Sequence, residues 1–316
     1  MVYLHLHKER NSNMDNKIYS RDLTFSIDDV ESRTEPTNVL LCTPEYFDIV
    51  DVKNAFMEGF QGQTQKDEAM AQWNSLRFVY QNLSQMHVID KVMEIPGAIG
   101  LEDMVFCANQ TFPWRVKDGR NIVVMSKMKH DSRKREVPYF EEFFKGIGYT
   151  TLHLERTDLF EGMGETIAHP FKQLLYGGFG HRSKANAHEE LAQILDVPVV
   201  LLELLHPKFY HLDTCFLPVD TDNVILCKEA FTEDGLKNIQ HLFKYLHFIS
   251  EYEAEQTFCL NAHIPYNSKY RHAIIQKGSA TAIKILTDLD FTIHEAETSE
   301  YMKSGGSVFC MKMMVY

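Results

Sequence analysis

The chain has 316 residues, a length that fits one large domain or two ordinary ones. Its 32 basic and 44 acidic residues give a net charge of −12, and no basic stripe offsets it, which argues against nucleic acid as a partner. No apolar run approaches the roughly 20 residues that span a bilayer, and the N-terminus lacks the apolar core of a secretory signal. These features predict a cytoplasmic globular protein without a membrane interface.

The N-terminal segment differs from the rest of the chain. Its opening residues, MVYLHLHKERNSNMDNK, show no sustained helix or strand pattern. We expect residues 1–35 to form a poorly ordered extension and residues 36–316 to form a single domain.

A short apolar strand that ends in polar or glycine-rich residues recurs at steps of roughly 45–65 residues. The repeats are NVLLCTPEYF from Asn38, DMVFCANQTF from Asp103, FEGMGETI from Phe160, HLDTCFLPV from His211, QTFCLNAHI from Gln256 and GGSVFC from Gly305. Helical periodicity between them predicts helices over residues 67–86, 139–148, 185–195, 235–246 and 280–290. The alternation predicts an α/β fold in which repeated units close on one another and the polar strand ends converge.

The six cysteines are scattered and form no C-x-x-C pair, so zinc-site spacing is absent. Five of them are interpreted as small buried hydrophobic residues. Cys310 follows two glycines, which allow close approach of a ligand to the backbone. It is a candidate nucleophile, with a sixth buried thiol as the alternative.

Two acidic motifs are candidates for acid–base chemistry or cation binding. His211 and Asp213 would lie on one face of a strand, as a base beside a carboxylate or as a surface pair. Glu161 and Glu165 stand in the glycine-rich segment FEGMGET, which is typical either of a cation or metal site or of a polar turn.

Amides and arginines complete the set of candidates. Asn109 and Asn54 are interpreted as turn-capping residues or as site residues. Arg133 and Arg182 are interpreted as solvated loop residues or as partners of a substrate carboxylate. Carboxylates around a thiol raise its pKa, unless the substrate is itself a cation that stabilises the thiolate. The combination therefore favours a guanidinium substrate.

The ordered series of motifs resembles the guanidino-group-modifying superfamily of arginine deiminases, dimethylarginine hydrolases and amidinotransferases. The motifs are CTPEYFDIVDVKNAFM, DMVFCANQTF, SKMKHDSRKREVPYF, FEGMGET, GFGHRS, FYHLDTCFLPV and SGGSVFC. The resemblance runs from about Asn38 to Met313. It implies the pentein α/β propeller, with five pseudo-repeated ββαβ units around a central site, as one catalytic domain over residues 36–316.

Within this superfamily the chain is most similar to the arginine dihydrolase branch of cyanobacterial proteins, in CTPEYFDI, VKNAFM, FCAN, FEGMG and FYHLDTCF. That branch converts arginine to ornithine, ammonia and carbon dioxide, whereas deiminases stop at citrulline. The resemblance implies that Cys310 attacks the guanidinium carbon and forms an amidino-thioether. It also implies that His211 is the general acid and base and that Glu161 orients it.

The resemblance further implies a set of substrate-binding residues: Asp213, Asn109, Asn54, Arg133, Arg182 and Glu165. Asp213 would hold the guanidinium nitrogens, and the two arginines would bind the α-carboxylate. No metal or organic cofactor is implied. The chain departs from the branch at Lys127, which replaces an arginine, and at Glu165, which is one methylene longer than the expected aspartate.

Several alternatives stay open from the sequence. A dimethylarginine hydrolase would use the same chemistry in a differently shaped pocket, and an amidinotransferase would pass the amidino group to an amine. A non-catalytic binding protein of the same fold is a third alternative. The sequence does not decide whether the chain forms a homo-oligomer.

Overall fold

The computed structural model describes residues 17–316. Within that range, the fifteen strands are β1 (Ile18–Tyr19), β2 (Asn38–Cys42), β3 (Val92–Ile95), β4 (Thr111–Arg115), β5 (Asn121–Met125), β6 (Thr150–His153), β7 (Thr166–Ala168), β8 (Leu175–Phe179), β9 (Val199–Glu203), β10 (Phe216–Pro218), β11 (Asn223–Leu226), β12 (Tyr245–Phe248), β13 (His272–Gln276), β14 (Thr292–Ala296) and β15 (Lys312–Val315). The nine α-helices of the same range are α1 (Lys66–Gln85), α2 (Asp131–Lys134), α3 (Val137–Gly146), α4 (Gly162–Glu165), α5 (Ala185–Leu195), α6 (Glu233–Leu242), α7 (Glu251–Thr257), α8 (Ala280–Asp288) and α9 (Ser299–Met302).

The strands form five small sheets that repeat one pairing pattern. In four of them an antiparallel pair is followed by a parallel pair: β15-β2-β3, β4-β5-β6, β7-β8-β9 and β10-β11-β12. The fifth contains the parallel pair β13-β14, and an isolated antiparallel bridge between His263 and Ile274 takes the place of its first strand. A helix connects the two strands of each of these five parallel pairs, as parallel strands require a long crossover.

This pattern confirms a mixed α/β fold, and the pairing repeats five times. The arrangement of the five sheets as a propeller stays a prediction. The two ends of the predicted domain share one sheet, because β15 runs antiparallel to β2 with Lys312 opposite Leu41.

The five predicted long helices are all present, with bounds that shift by at most four residues. Helix α1 shows why, since its buried residues Trp73, Leu76, Tyr80 and Leu83 recur with the spacing of one helical face. Across residues 17–316, no helix combines the length and the apolar composition that crossing a membrane requires.

Residues 17–35 differ from the expectation of a poorly ordered extension, whereas residues 1–16 lie outside the described range. Strand β1 pairs in parallel with β9, and Tyr19, Phe25 and Val30 are buried in the core. The buried Arg33–Glu35 ion pair then anchors the chain before β2. The segment is ordered because its apolar side chains pack on the sheet, a pattern too short for periodicity to reveal.

The first repeat is a strand that ends in a polar segment, as predicted, since NVLLC forms β2, but most of the other polar motifs lie before strands. Residues 103–110 form turns ahead of β4, and residues 305–311 form turns ahead of β15. His211 precedes a 3₁₀ helix over Leu212–Thr214, so it does not share a strand face with Asp213. The apolar residues of these motifs are buried in compact turns. In sequence, such turns show the same run of hydrophobic residues as a buried strand.

Candidate active site

Residues from these turns, together with residues that follow β2, β5 and β8, line one pocket. Six of the nine predicted site residues are among its lining: Asn54, Asn109, Arg133, Arg182, His211 and Cys310. Glu161 and Asp213 contact lining residues from behind, and Glu165 lies farther away. The turns before β4, β10 and β15 supply Asn109, His211 and Cys310, and the segments after the middle strands β2, β5 and β8 supply Asn54, Arg133 and Arg182.

Cys310 lies almost fully buried at the pocket wall, only 2% exposed. Its Sγ donates a hydrogen bond to Asp213 Oδ2 at 3.2 Å. Burial, and then the neighbouring Asp213 carboxylate, raise the pKa of the thiol well above its usual value. In the free protein the thiol is consequently protonated, and a cation beside it would favour the thiolate.

Asn261 is a site residue that the sequence reasoning missed. Its Nδ2 donates to Cys310 Sγ at 3.1 Å and to the Asp213 carbonyl oxygen at 3.2 Å. Its Oδ1 accepts from the backbone N–H groups of Cys310 and Ser307. The signal was available, because Asn261 lies in QTFCLNAHI, the repeat whose counterparts supply Asn109, His211 and Cys310.

Two glycines before Cys310 allow the turn to close around the pocket. Gly305 has φ +85°, and a Cβ there would lie 2.6 Å from Tyr210 Oη. A Cβ on Gly306 would lie 2.4 Å from the Phe106 ring. Both positions therefore exclude a side chain.

His211 is oriented by a buried carboxylate. Its Nε2 lies 2.7 Å from Glu161 Oε2, and Glu161 also accepts from Arg182 Nη1 at 3.1 Å and from the Lys129 backbone N–H at 3.0 Å. Burial alone would raise the pKa of Glu161, but Arg182 and the hydrogen bond from His211 outweigh it and lower the pKa. Glu161 is therefore a carboxylate that accepts Nε2–H and leaves the other ring nitrogen for proton transfer.

The imidazole of His211 is neutral in the free protein. Burial lowers its pKa to about 4, even though Glu161 acts in the opposite direction. A neutral imidazole near a protonated thiol can accept the thiol proton once a cation enters the pocket.

Asp213 is a buried acid with incomplete hydrogen bonding. It is 1% exposed, and its Oδ1 has no hydrogen-bond partner among the described residues. Burial raises its pKa to about 7, although Cys310 and Lys312 favour the charged form. A guanidinium that donates to this oxygen would ionise the acid fully.

We expect Asp213→Asn to stabilise the fold above neutral pH. Because the pKa of Asp213 is raised in the fold, the protonated acid contributes fully to the free energy of unfolding below the unfolded pKa of 3.8. This contribution is lost as the pH rises through about 7. An amide avoids that loss and still accepts from Cys310 Sγ. In urea unfolding at pH 8, the free energy of unfolding of the variant should exceed that of the unmodified protein by about 2 kcal/mol. At pH 4 the two proteins should differ very little.

The control for this variant is Asp222→Asn, at an exposed position, which should leave the free energy of unfolding unchanged at both values of pH. If Asp213→Asn destabilised the protein equally at pH 4 and pH 8, the raised pKa of Asp213 would be wrong.

Asn109 is held in one orientation by Arg133. Arg133 Nη1 donates to Asn109 Oδ1 at 3.0 Å, while the guanidinium also contacts Glu136 and the Phe106 carbonyl oxygen. Asn109 Nδ2 is buried and has no acceptor within residues 17–316. The arrangement leaves the Asn109 NH₂ group, which packs against Gly164, without an acceptor.

Asn54 and Arg182 form the other side of the pocket. Asn54 Nδ2 donates to the Ser304 carbonyl oxygen at 3.0 Å, and its Oδ1 accepts from the Phe56 N–H. Arg182 Nη2 donates to the Lys53 carbonyl oxygen at 2.7 Å, and the guanidinium lies over the Tyr210 ring. Lys53, which sequence reasoning did not select, lines the pocket and pairs with Glu102 and Asp103.

The two residues at which the chain departs from the dihydrolase branch lie outside the lining. Glu165 is fully buried, and its Oε2 accepts the Leu212 N–H at 3.2 Å. Lys127 Nζ donates a hydrogen bond to the Thr157 carbonyl oxygen at 2.8 Å. Neither departure from the dihydrolase branch therefore changes the pocket lining directly, because both side chains are engaged elsewhere in the fold.

A cluster with metal-ligand spacing occurs elsewhere in residues 17–316. His206, Glu251 and Glu255 place ligand atoms within 4.8 Å of one another, and none of the three lines the pocket.

Known proteins match the chain over most of its length. The model of the family "N,N dimethylarginine dimethylhydrolase, eukaryotic" matches residues 43–316. The bifunctional arginine dihydrolase/ornithine cyclodeaminase of Nostoc sp. is 32% identical over 89% of this chain. The chain spans only 38% of that relative's length.

A second relative and a solved structure extend the match. The N(G),N(G)-dimethylarginine dimethylaminohydrolase of Mycobacterium tuberculosis is 28% identical over 86% of this chain and 84% of its own length. The crystal structure of the substrate-bound N-terminal domain of ArgZ, an arginine dihydrolase of cyanobacteria, has a TM-score of 0.80 and 30% identity. The structural match covers 88% of this chain and 97% of the ArgZ chain. The chain therefore belongs to the dimethylarginine dimethylhydrolase family, within the guanidino-group-modifying superfamily.

Proposed function

We propose that residues 36–316 form one catalytic domain that hydrolyses the guanidino group of free arginine through a covalent adduct on Cys310. The observation that carries the proposal is the Cys310 thiol, held between Asp213 and Asn261 in the pocket that His211 also lines. We further propose that the five sheets surround this pocket as a pentein propeller and that the enzyme works in the cytoplasm without a metal or organic cofactor.

A cationic substrate favours the nucleophilic form of Cys310 in the first round of hydrolysis. The pKa of the Cys310 thiol is raised, and Asp213 is only partly ionised near neutral pH. A guanidinium beside both groups donates hydrogen bonds to Asp213 and stabilises the thiolate by its positive charge. Binding of the substrate thus creates the nucleophile that attacks it.

Proton transfers to and from His211 accompany each bond that forms or breaks. The thiol proton passes to His211, and Sγ then attacks the guanidinium carbon. Imidazolium returns this proton to the departing nitrogen, so that the C–N bond breaks, ammonia leaves and an amidino-thioether remains. His211 next takes a proton from water, hydroxide adds to the carbon, and cleavage of the C–S bond gives citrulline and regenerates the thiol.

Asn109 favours a second round of hydrolysis. A guanidinium has only donors and cannot accept from the free Asn109 Nδ2, whereas the ureido oxygen of citrulline can. An amide donor at this position therefore suits citrulline as a substrate, which a carboxylate would not. The second round gives ornithine, ammonia and carbon dioxide, the dihydrolase reaction.

Arg133 and Arg182 supply the positive charge for the α-carboxylate of arginine. Both line the pocket, although Glu136 and Glu161 partly neutralise them. Asn54 lies on the same side of the pocket as Arg182, and its Nδ2 lies 3.5 Å from Tyr210 Oη.

Product analysis tests the reaction directly. Purified protein incubated with arginine should release two ammonia per ornithine. One ammonia per citrulline would reduce the proposal to a deiminase, and unchanged arginine would exclude both reactions.

Asn109→Asp should turn the dihydrolase into an enzyme that accumulates citrulline. The carboxylate keeps the bond from Arg133 but loses the donor, so the ammonia released per arginine should fall from two toward one. Asn121→Asp is the matched control, because Asn121 Oδ1 likewise accepts from an arginine, Arg115 Nε at 2.8 Å, outside the pocket. Two ammonia per ornithine in Asn109→Asp would contradict the assigned role.

A second candidate substrate is dimethylarginine, which the matching family model favours. The same bond changes would release dimethylamine in place of ammonia. Side-by-side incubation with arginine and dimethylarginine, with dimethylamine as the readout, separates the two.

A further inference from the structure

We propose that the chain has a second small-molecule site, separate from the catalytic pocket, in which Lys312 binds the carboxylate of a medium-chain or aryl monocarboxylate. This inference goes beyond the proposed hydrolysis and does not depend on it.

The site is a cavity lined by residues of β4, β7, β10 and β15 and by residues 262–264. These are the first strands of their sheets, and the catalytic turns precede each of them. Asn109 precedes β4, and Cys310 precedes β15, so the cavity lies farther along the same strands. Partly exposed residues, including Pro36, Ala168 and Tyr316, line one part of it, whereas Lys312 is 1% exposed.

Lys312 has no counter-ion in the part of the chain that the structure describes. No hydrogen bond or ion pair from those residues reaches Nζ, which instead lies 3.3 Å from the centroid of the Phe309 ring. Burial lowers the pKa of this amine to about 7, although Asp213 favours the charged form. A buried ammonium without a partner is unfavourable, so an anion in the cavity would complete its bonding.

The remaining charges of the lining are balanced, which limits the ligand to one negative charge. Arg33 Nη2 lies 2.5 Å from Glu35 Oε2, and Arg33 also donates to Tyr316 Oη. His263 Nδ1 is engaged by Tyr80 Oη at 3.0 Å. A monocarboxylate matches Lys312 alone, whereas a dianion would leave one charge buried and unpaired.

The rest of the lining selects an apolar tail. Phe112, Ile167, Leu217, Ile264 and Met314 face the same cavity. Burial of an alkyl or aryl group against them is favourable, while one polar contact fixes the orientation, as is usual in small-molecule sites.

Titration calorimetry with octanoate tests this site without any turnover. The unmodified protein should bind one octanoate per chain, and octylammonium and octanol should bind at least about tenfold more weakly, because only the carboxylate pairs with Lys312. Lys312→Met, which keeps the side-chain length, should weaken octanoate binding at least about tenfold.

Lys277→Met, at an exposed position, is the control and should bind octanoate like the unmodified protein. Absence of saturable octanoate binding by the unmodified protein would overturn the proposal. Equal binding of octanoate and octanol would do the same, and this comparison does not require any variant to fold. Loss of arginine hydrolysis without loss of octanoate binding would count against the proposed function only.

Discussion

Cys310→Ser is expected to lower kcat for arginine at least about 10³-fold, because the hydroxyl cannot replace the thiol as nucleophile. The contacts around the position should persist, since a hydroxyl can donate to Asp213 Oδ2 and accept from Asn261 Nδ2 as Sγ does. Arginine should therefore still bind. Steady-state ammonia release measures the loss, and calorimetry measures the retained binding.

The covalent intermediate gives this prediction a second readout. Acid quenching of the unmodified enzyme during turnover should trap protein that is heavier by arginine less one ammonia, with the added mass on the peptide that contains Cys310. The serine variant should show no such adduct.

Cys227→Ser provides the matched control, because Cys227 is a buried thiol that also donates to a carboxylate, Glu229 Oε2 at 3.3 Å. It should keep full activity. Activity of Cys310→Ser close to that of the control would remove Cys310 from the chemistry and leave a binding protein of the same fold.

The long helices could be predicted because a packed helix imposes its period on the sequence. Helix α5 illustrates this, with observed bounds Ala185–Leu195 equal to the predicted residues 185–195. The turns before β4 and β15 could not be placed by the same reasoning. Their apolar residues are buried by tertiary contacts, such as the bond from the Ala108 N–H to the Cys310 carbonyl oxygen, rather than by strand pairing.

The site was predicted from the order of motifs, and most of the chosen residues converge on one pocket. Two kinds of residue escaped this reasoning. Asn261 holds Cys310 from a repeat that was interpreted only as a strand, and Lys53 lines the pocket from a segment interpreted only through its neighbour Asn54. Pairing between distant turns decides both, and a single sequence does not display it.

Glu161→Gln is expected to impair both activity and stability. The carboxylate is fully buried and accepts from Arg182 and His211, so an amide leaves the buried Arg182 guanidinium without its counter-ion. Removal of one member of a buried pair lowers the free energy of unfolding by about 3–5 kcal/mol. The amide also supports the imidazolium of His211 less well, and kcat should fall about 10²-fold or more.

The pH dependence identifies the cause of that loss. Because the pKa of Glu161 is lowered in the fold, its stabilisation is complete above the unfolded pKa of about 4.5 and is lost as the pH falls below it. The difference in the free energy of unfolding between the two proteins should thus be constant from pH 6 to pH 8. It should narrow below about pH 4.5, as measured by urea unfolding.

Glu155→Gln, at an exposed position on the same segment, should change neither kcat nor stability. A difference between Glu161→Gln and the unmodified protein that stayed constant down to pH 3 would show that the variant disturbs packing rather than charge. A narrowing difference together with a lowered kcat would link both effects to the single carboxylate, since Glu161 alone contacts Arg182 on one side and His211 on the other. In that case the ion pair that stabilises the pocket is also the one that fixes the proton on His211 Nε2, and stability and catalysis at this site have a common origin.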